Sequence, residues 1–208
     1  MTTRIYIFTR FERFWHWAQA LLIIGMLFTG FEIHGTWHVL GFGLAHKVHN
    51  FAAWALITLW VFAIFWHFTT GEWKQYIPRT DGMWKVARFY AWGIFNGEHH
   101  PFVVTRQRKH NPMQAQAYLG IKLLINPILW ISGLAYFFYN ELVAAGLGLN
   151  LGWIALLHTI GAFMMLAFLV VHVYLITTGH TVGAHIKAMI TGWEDGEEEP
   201  AANKPAAH

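Results

Sequence analysis

LLHTIGAFMMLAFLVVHVYLIT, residues 156–177, decides the fold. Nearly all of it is aliphatic or aromatic, and it is long enough to cross a hydrocarbon core that needs about 20 helical residues. Yet it carries His158 and His172. An ionisable group inside a membrane is costly, so it faces a bundle interior and has a partner there. Fourteen residues turn an α-helix by about 1400°, roughly 40° short of four turns, which puts both imidazoles on one face about 21 Å apart along the axis.

The rest of the chain agrees with a membrane setting. Of 208 residues, 56% are hydrophobic, 17% aromatic and only 12% charged, which is not the composition of a soluble domain. Four stretches are apolar enough to span: residues 15–33, 48–68, 115–139 and 153–177. The expected fold is an all-α, four-helix transmembrane bundle. The opening MTTRIYIFTRFERFWHW has no long apolar run after its first basic residues and no small-residue cleavage site, so the first helix is expected to be retained.

Basic residues set the expected orientation. Arg4, Arg10 and Arg13 precede the first span. Lys74, Arg79, Lys85, Arg88, Arg106, Arg108 and Lys109 lie between the second and third, and Lys187 and Lys204 follow the fourth. Only Lys47 lies on the opposite side, and Lys122 falls inside the third span. The positive-inside bias therefore predicts that both chain ends are cytoplasmic. It also accounts for the formal charge of +3 without a nucleic-acid face, and no nucleic-acid motif is present.

The chain has no cysteine, which excludes disulfides, thiolate zinc sites, iron–sulfur ligation and covalent c-type haem together. Between the second and third spans, MWKVARFYAWGIF, residues 83–95, mixes aromatic groups with Lys85 and Arg88 as an amphipathic connector in the membrane interface does. GHTVGAHIKAMITGW, residues 179–193, predicts a second short interfacial helix. Residues 1–193 form the expected membrane domain. EDGEEEPAANKPAAH, residues 194–208, is an acidic, Ala- and Pro-rich tail with little to bury, expected to be mobile.

Each histidine of the fourth span needs an opposite number at its own depth. His16 opens the first span at the end where the fourth closes with His172. His49 opens the second span at the end where the fourth begins with His158. Two bis-histidine sites follow. Haem b suits such sites, because it is held without thioethers, accepts two imidazoles and is apolar enough to lie between helices. Gly161, near His158, either leaves room for a flat cofactor or makes a helix-packing contact.

Other pairings remain open. His34 follows His16, and His67 follows His49, by 18 residues, five full turns, so they share the faces of the proposed ligands. His46 lies close to His49. His38, His99, His100, His110, His180, His185 and His208 fall in expected loops or tails, with His110 and His180 as candidate proton carriers. Asn111 and Gln114, around Pro112, can cap a helix or hydrogen-bond a ligand carbonyl. Asn126 and Pro127 predict a kink in the third span, where Lys122 is expected to snorkel.

RFERFWHW (10–17), HKVHNFAAW (46–54), NPMQAQAYLG (111–120) and LLHTIGAFMMLAFLVVHVYL (156–175) together resemble the cytochrome b subunits of respiratory formate dehydrogenases, nickel–iron hydrogenases and thiosulfate reductases, within a cytochrome b561-like superfamily. The resemblance extends from about Arg10 to Trp193 and includes GAHIKAMITG (183–192). It implies two b haems, one ligated by His16 and His172 toward the cytoplasm and one by His49 and His158 on the opposite side. It also implies a quinone, menaquinone or ubiquinone, near Asn111, with Gln114 beside it.

On that resemblance the chain is a membrane-anchored electron carrier of the bacterial cytoplasmic membrane. Its implied partner is an extracytoplasmic redox subunit, an iron–sulfur protein or a multihaem c-type cytochrome. Two other classes are compatible with the residues: a free-standing cytochrome b561-like quinone oxidoreductase and a histidine-lined metal transporter.

Overall fold

The computed structural model describes residues 3–78, 80–98, 100–102, 104–105, 108–178 and 182–196. Arg79, His99, Arg106, His180, Lys204 and His208, named above, and residues 197–208 of the expected tail lie outside them. In chain order the elements are β1 (Thr3–Tyr6), α1 (Arg10–Ile33), α2 (Phe42–Thr70), α3 (Met83–Ala91), α4 (Pro112–Gly120), α5 (Asn126–Phe137), α6 (Tyr139–Ala144), α7 (Leu151–Ile176), α8 (Ala184–Thr191) and β2 (Trp193–Gly196). Four helical stretches are long and apolar enough to cross a membrane: α1, α2, α4 continued into α5, and α7. The fold is an all-α membrane bundle.

Polar residues set where these helices start. Thr9 and Glu12 cap α1 reciprocally, as Asn111 and Gln114 cap α4, and Asn150 Oδ1 accepts from the Trp153 backbone at the start of α7. The start of α2 is held differently. Buried Glu32, from the end of α1, accepts the Leu40 and Gly41 backbone N–H groups through Oε1.

The third span is irregular where Asn126 and Pro127 lead one to expect a kink. A single π turn, Ile121–Ile125, joins α4 to α5 just ahead of Pro127. A proline ring clashes with the carbonyl four residues earlier, here that of Leu123, and the wider turn relieves that clash while the helix continues. The span also begins at Pro112 and ends at Phe137, earlier at both ends than its hydropathy suggests.

Within the bundle α1 packs on α2 and α5 packs on α7. The two pairs face one another through rings: His16 toward His172, His49 toward His158, Phe31 toward Phe163 and Trp60 toward Trp130. Leu21, Phe51 and Ile131 are each more than 70% exposed, as expected of side chains that face lipid instead of a protein core.

One end of the bundle gathers the first and last described residues and the interfacial segments. The expected connector helix is α3, followed by a 3-10 turn, Gly93–Asn96; it buries Val86 and Phe89 and exposes Trp84 and Trp92. The second interfacial helix is α8. Beyond it lies a ribbon that hydropathy alone does not suggest: β1 pairs antiparallel with β2, Tyr6 opposite Trp193 and Thr3 opposite Gly196. Glu194, Asp195 and Gly196, read from sequence as tail, belong to that ribbon. Arg13 and Trp17 of α1 donate to the Ile190 and Met189 carbonyls of α8, which fastens the ribbon end to the start of α1.

Candidate functional site

At the end carrying the termini, His16 of α1 faces His172 of α7 with ring centroids 6.2 Å apart and planes 49° from parallel. Near the far end His49 of α2 faces His158 of α7 at 6.3 Å, with planes at 67°. All four rings are half-buried. Two imidazoles bound to one metal, each at about 2 Å from its nitrogen, have centroids about 6 Å apart. Both pairs match that separation, and no cluster of three or more protein metal ligands exists among the described residues. A metal held at either place takes two ligands from the chain and its remaining ones from elsewhere, which is what a porphyrin supplies.

The rival histidines stand in other surroundings. His34 is the exposed residue that closes α1. His46 is exposed, stacks on Phe42 and lies 3.3 Å from the Asn50 amide. His67 is buried, with Nδ1 2.6 Å from the Ala63 carbonyl and Nε2 3.4 Å from Tyr76 Oη.

Around His49 and His158 the structure reveals neighbours that sequence reading passed over. Thr29 Oγ1 lies 3.0 Å from His49 Nδ1, and Ser132 Oγ lies 2.9 Å from His158 Nδ1. Each hydroxyl precedes a glycine. A Cβ on Gly30 would stand 3.7 Å from His49 Cε1, and one on Gly133 would stand 3.3 Å from His158 Cε1. The signal was present as Thr29–Gly30 and Ser132–Gly133, two hydroxyl–glycine pairs inside apolar spans. Gly161 plays the packing role instead: a Cβ there would meet Ile128 and Leu129 side chains at 2.9–3.0 Å, so it brings α7 against α5.

Asn111 and Gln114 sit at the end carrying the termini. Asn111 is buried, its Oδ1 accepts from the Gln114 backbone, and its Nδ2 donates to Tyr90 Oη at 3.1 Å. Gln114 Oε1 accepts from the Asn111 backbone, so both acceptors serve the helix cap. Tyr90 Oη also lies 3.2 Å from His100 Nε2 and bonds Thr178, just past α7; burial raises the Tyr90 phenol above its ordinary range. Beside this cluster an apolar cleft of about 360 Å³ opens between α3 and α4, lined by Met83, Trp84, Ala87, Met113, Gln116 and Ala117.

A charged group holds the same end together. Lys109 Nζ lies 2.8 Å from Glu12 Oε1 and 2.8 Å from Glu72 Oε2, and the lysine and Glu12 are nearly solvent-free. Lys122 Nζ stands 3.3 Å above the Tyr76 ring, a cation–π contact. His110 lies against Tyr76 and Tyr118. Burial, reinforced by Lys109 and Lys122, pushes its imidazole down to about 3.

A four-span helical bundle that opposes imidazoles across its interior defines a class, the membrane cytochromes b, which bind haem and transport electrons. The chain belongs to the prokaryotic cytochrome b561 family, whose model matches residues 7–192. It is 32% identical over 199 residues to "Putative cytochrome YdhU" of Escherichia coli (strain K12), an alignment covering 91% of this chain and 74% of that protein. No solved structure matches it.

Proposed function

We propose that the chain is the membrane-anchoring dihaem cytochrome b subunit of a quinone-linked respiratory oxidoreductase, carrying electrons between an extracytoplasmic redox partner and the membrane quinone pool. The observation that carries this reading is the pair of facing imidazole couples, at 6.2 and 6.3 Å, near opposite ends of α7. Haem b, held by His16 and His172 and by His49 and His158, supplies one-electron chemistry when bound. The bundle holds the four imidazoles half-buried and opposed in pairs.

Orientation follows the basic residues. The end bearing the termini carries most of the lysines and arginines, so it faces the cytoplasm of a bacterial cell. The His49–His158 end then meets the partner, an iron–sulfur protein or multihaem c-type cytochrome. Quinone binds at the cytoplasmic end, its ring near Asn111 and its chain along the apolar cleft of α3 and α4. Asn111 Oδ1 and Gln114 Oε1 serve the cap, so Gln114 Nε2, which has no partner among the described residues, and Tyr90 Oη are the groups that reach a quinone carbonyl.

Haem quantitation as the pyridine haemochrome tests the reading. The purified chain should hold two haem b, and His158→Ala and His172→Ala should each hold one. Unchanged haem content in both variants would refute the ligand assignment.

A further inference from the structure

The two imidazole pairs differ in what stands behind them. Thr29 Oγ1 makes its hydrogen bond to the Gly25 carbonyl at 2.9 Å, and Ser132 Oγ bonds the Ile128 carbonyl, in each case back along its own helix. A hydroxyl has one hydrogen. With that hydrogen given to a helix carbonyl, the oxygen accepts from the facing imidazole, so Nδ1 of His49 and of His158 is the protonated nitrogen; each ring also hydrogen-bonds a backbone carbonyl, Met26 for His49 and Leu129 for His158, which accepts only from an N–H. Nε2 is then the unprotonated, ligating nitrogen on both rings. At the other site His16 Nδ1 is buried with no hydrogen-bond partner among the described residues.

On the two-centre reading above, we propose that Thr29 and Ser132 are positioning residues for the His49–His158 centre alone: together with the Met26 and Leu129 carbonyls they fix both ligands as Nδ1–H tautomers, and they hold that centre's reduction potential below that of the His16–His172 centre. An imidazole that donates its second N–H is a more basic ligand, and a more basic ligand favours the oxidised metal. Gly133 leaves the Cε1 edge of His158 uncovered where a Cβ would stand 3.3 Å away, whereas a Cβ at Gly30 would make only ordinary contact with His49 at 3.7 Å. The consequence is directional. Electrons run downhill from the His49–His158 end toward the end where Asn111 and Tyr90 lie.

The test is an equilibrium redox titration of the purified chain, followed by haem absorbance, with the component lost in His158→Ala taken as the His49–His158 centre. Thr29→Val and Ser132→Ala should each raise that component's potential by roughly a tenfold change in its reduction equilibrium, about 59 mV for one electron. The other component should stay in place, and Thr29→Ser should restore the original value. Ser132→Ala removes a single oxygen, so it answers the question if Thr29→Val does not fold. No shift, equal shifts of both components, or a Thr29→Ser variant that behaves like Thr29→Val would each overturn the proposal. Two intact components in His158→Ala would instead refute the two-centre reading itself.

Discussion

Lys109 Nζ bridges Glu12 and Glu72 at 2.8 Å each, tying the loop before α4 to the first turn of α1 and the turn after α2. Three segments distant in sequence thus converge on one ammonium at the end of the bundle where His16 lies. Its desolvation is offset only while both carboxylates are present. Lys109→Met should therefore leave two carboxylates facing each other and cost about 3 kcal/mol, read as earlier loss of helical signal on heating in detergent. Glu72→Gln should cost less, because Glu72 is 26% exposed against 9% for Glu12. Equal stability of Lys109→Met and the parent chain would show that the triad holds nothing together.

How much of this was legible beforehand depends on what each feature rests on. The spans and the depth matching of His16 with His172 and His49 with His158 follow from hydropathy and the helical period, which are local properties. Thr29 and Ser132 could not be paired with imidazoles from sequence, because their roles depend on how α1 meets α2 and α5 meets α7. The β1–β2 ribbon joins opposite ends of the chain, and no local pattern in TRIY or WEDG specifies that partner. The Tyr76 ring under the Lys122 ammonium was likewise not legible, because it depends on how the segment after α2 meets the third span.

Gly192 gives a check on the ribbon end. Its φ is +87°, and a Cβ there would stand 2.5 Å from Tyr6 Cε2 and 2.6 Å from the Phe8 carbonyl. Its own carbonyl accepts from the Ile7 and Phe8 backbones. Gly192→Ala combines a left-handed conformation costing about 1–2 kcal/mol with a clash against backbone. The variant should become sensitive to limited proteolysis between residues 1 and 9, while the haem spectrum persists. Unaltered protection would mean that the ribbon does not depend on the α8 turn.

His110 supplies the pH dependence. In the unfolded chain its imidazole takes up a proton near 6.5, whereas in the folded chain burial, with Lys109 and Lys122 nearby, delays protonation to about 3. Tyr76 and Tyr118 are the other titratable groups against it. Between those two values the unfolded state binds the extra proton, so stability falls as pH drops from about 6.5 toward 3. His110→Gln should flatten the stability curve over that window by one proton and leave it unchanged above pH 7. Parallel curves for parent and variant would show that His110 protonates equally well in both states.

Glu32 links the α1–α2 turn to the proposed ligand His49. Its Oε1 accepts the Leu40 and Gly41 N–H groups just ahead of α2, while the side chain is buried. Hydrogen bonds to a charged acceptor contribute about 1.5–3 kcal/mol, and a carboxylate before a helix is further favoured by the positive end of the helix dipole. Glu32→Ala frees two backbone donors and the entry to α2, two turns ahead of His49. Haem at the His49–His158 centre should then be lost on milder detergent washing than in the parent, with the His16–His172 centre retained. Glu32→Gln keeps an oxygen acceptor and should retain more of that haem than Glu32→Ala. Equal loss at both centres would instead mean that Glu32 supports the whole bundle and not the approach of α2 to its ligand site.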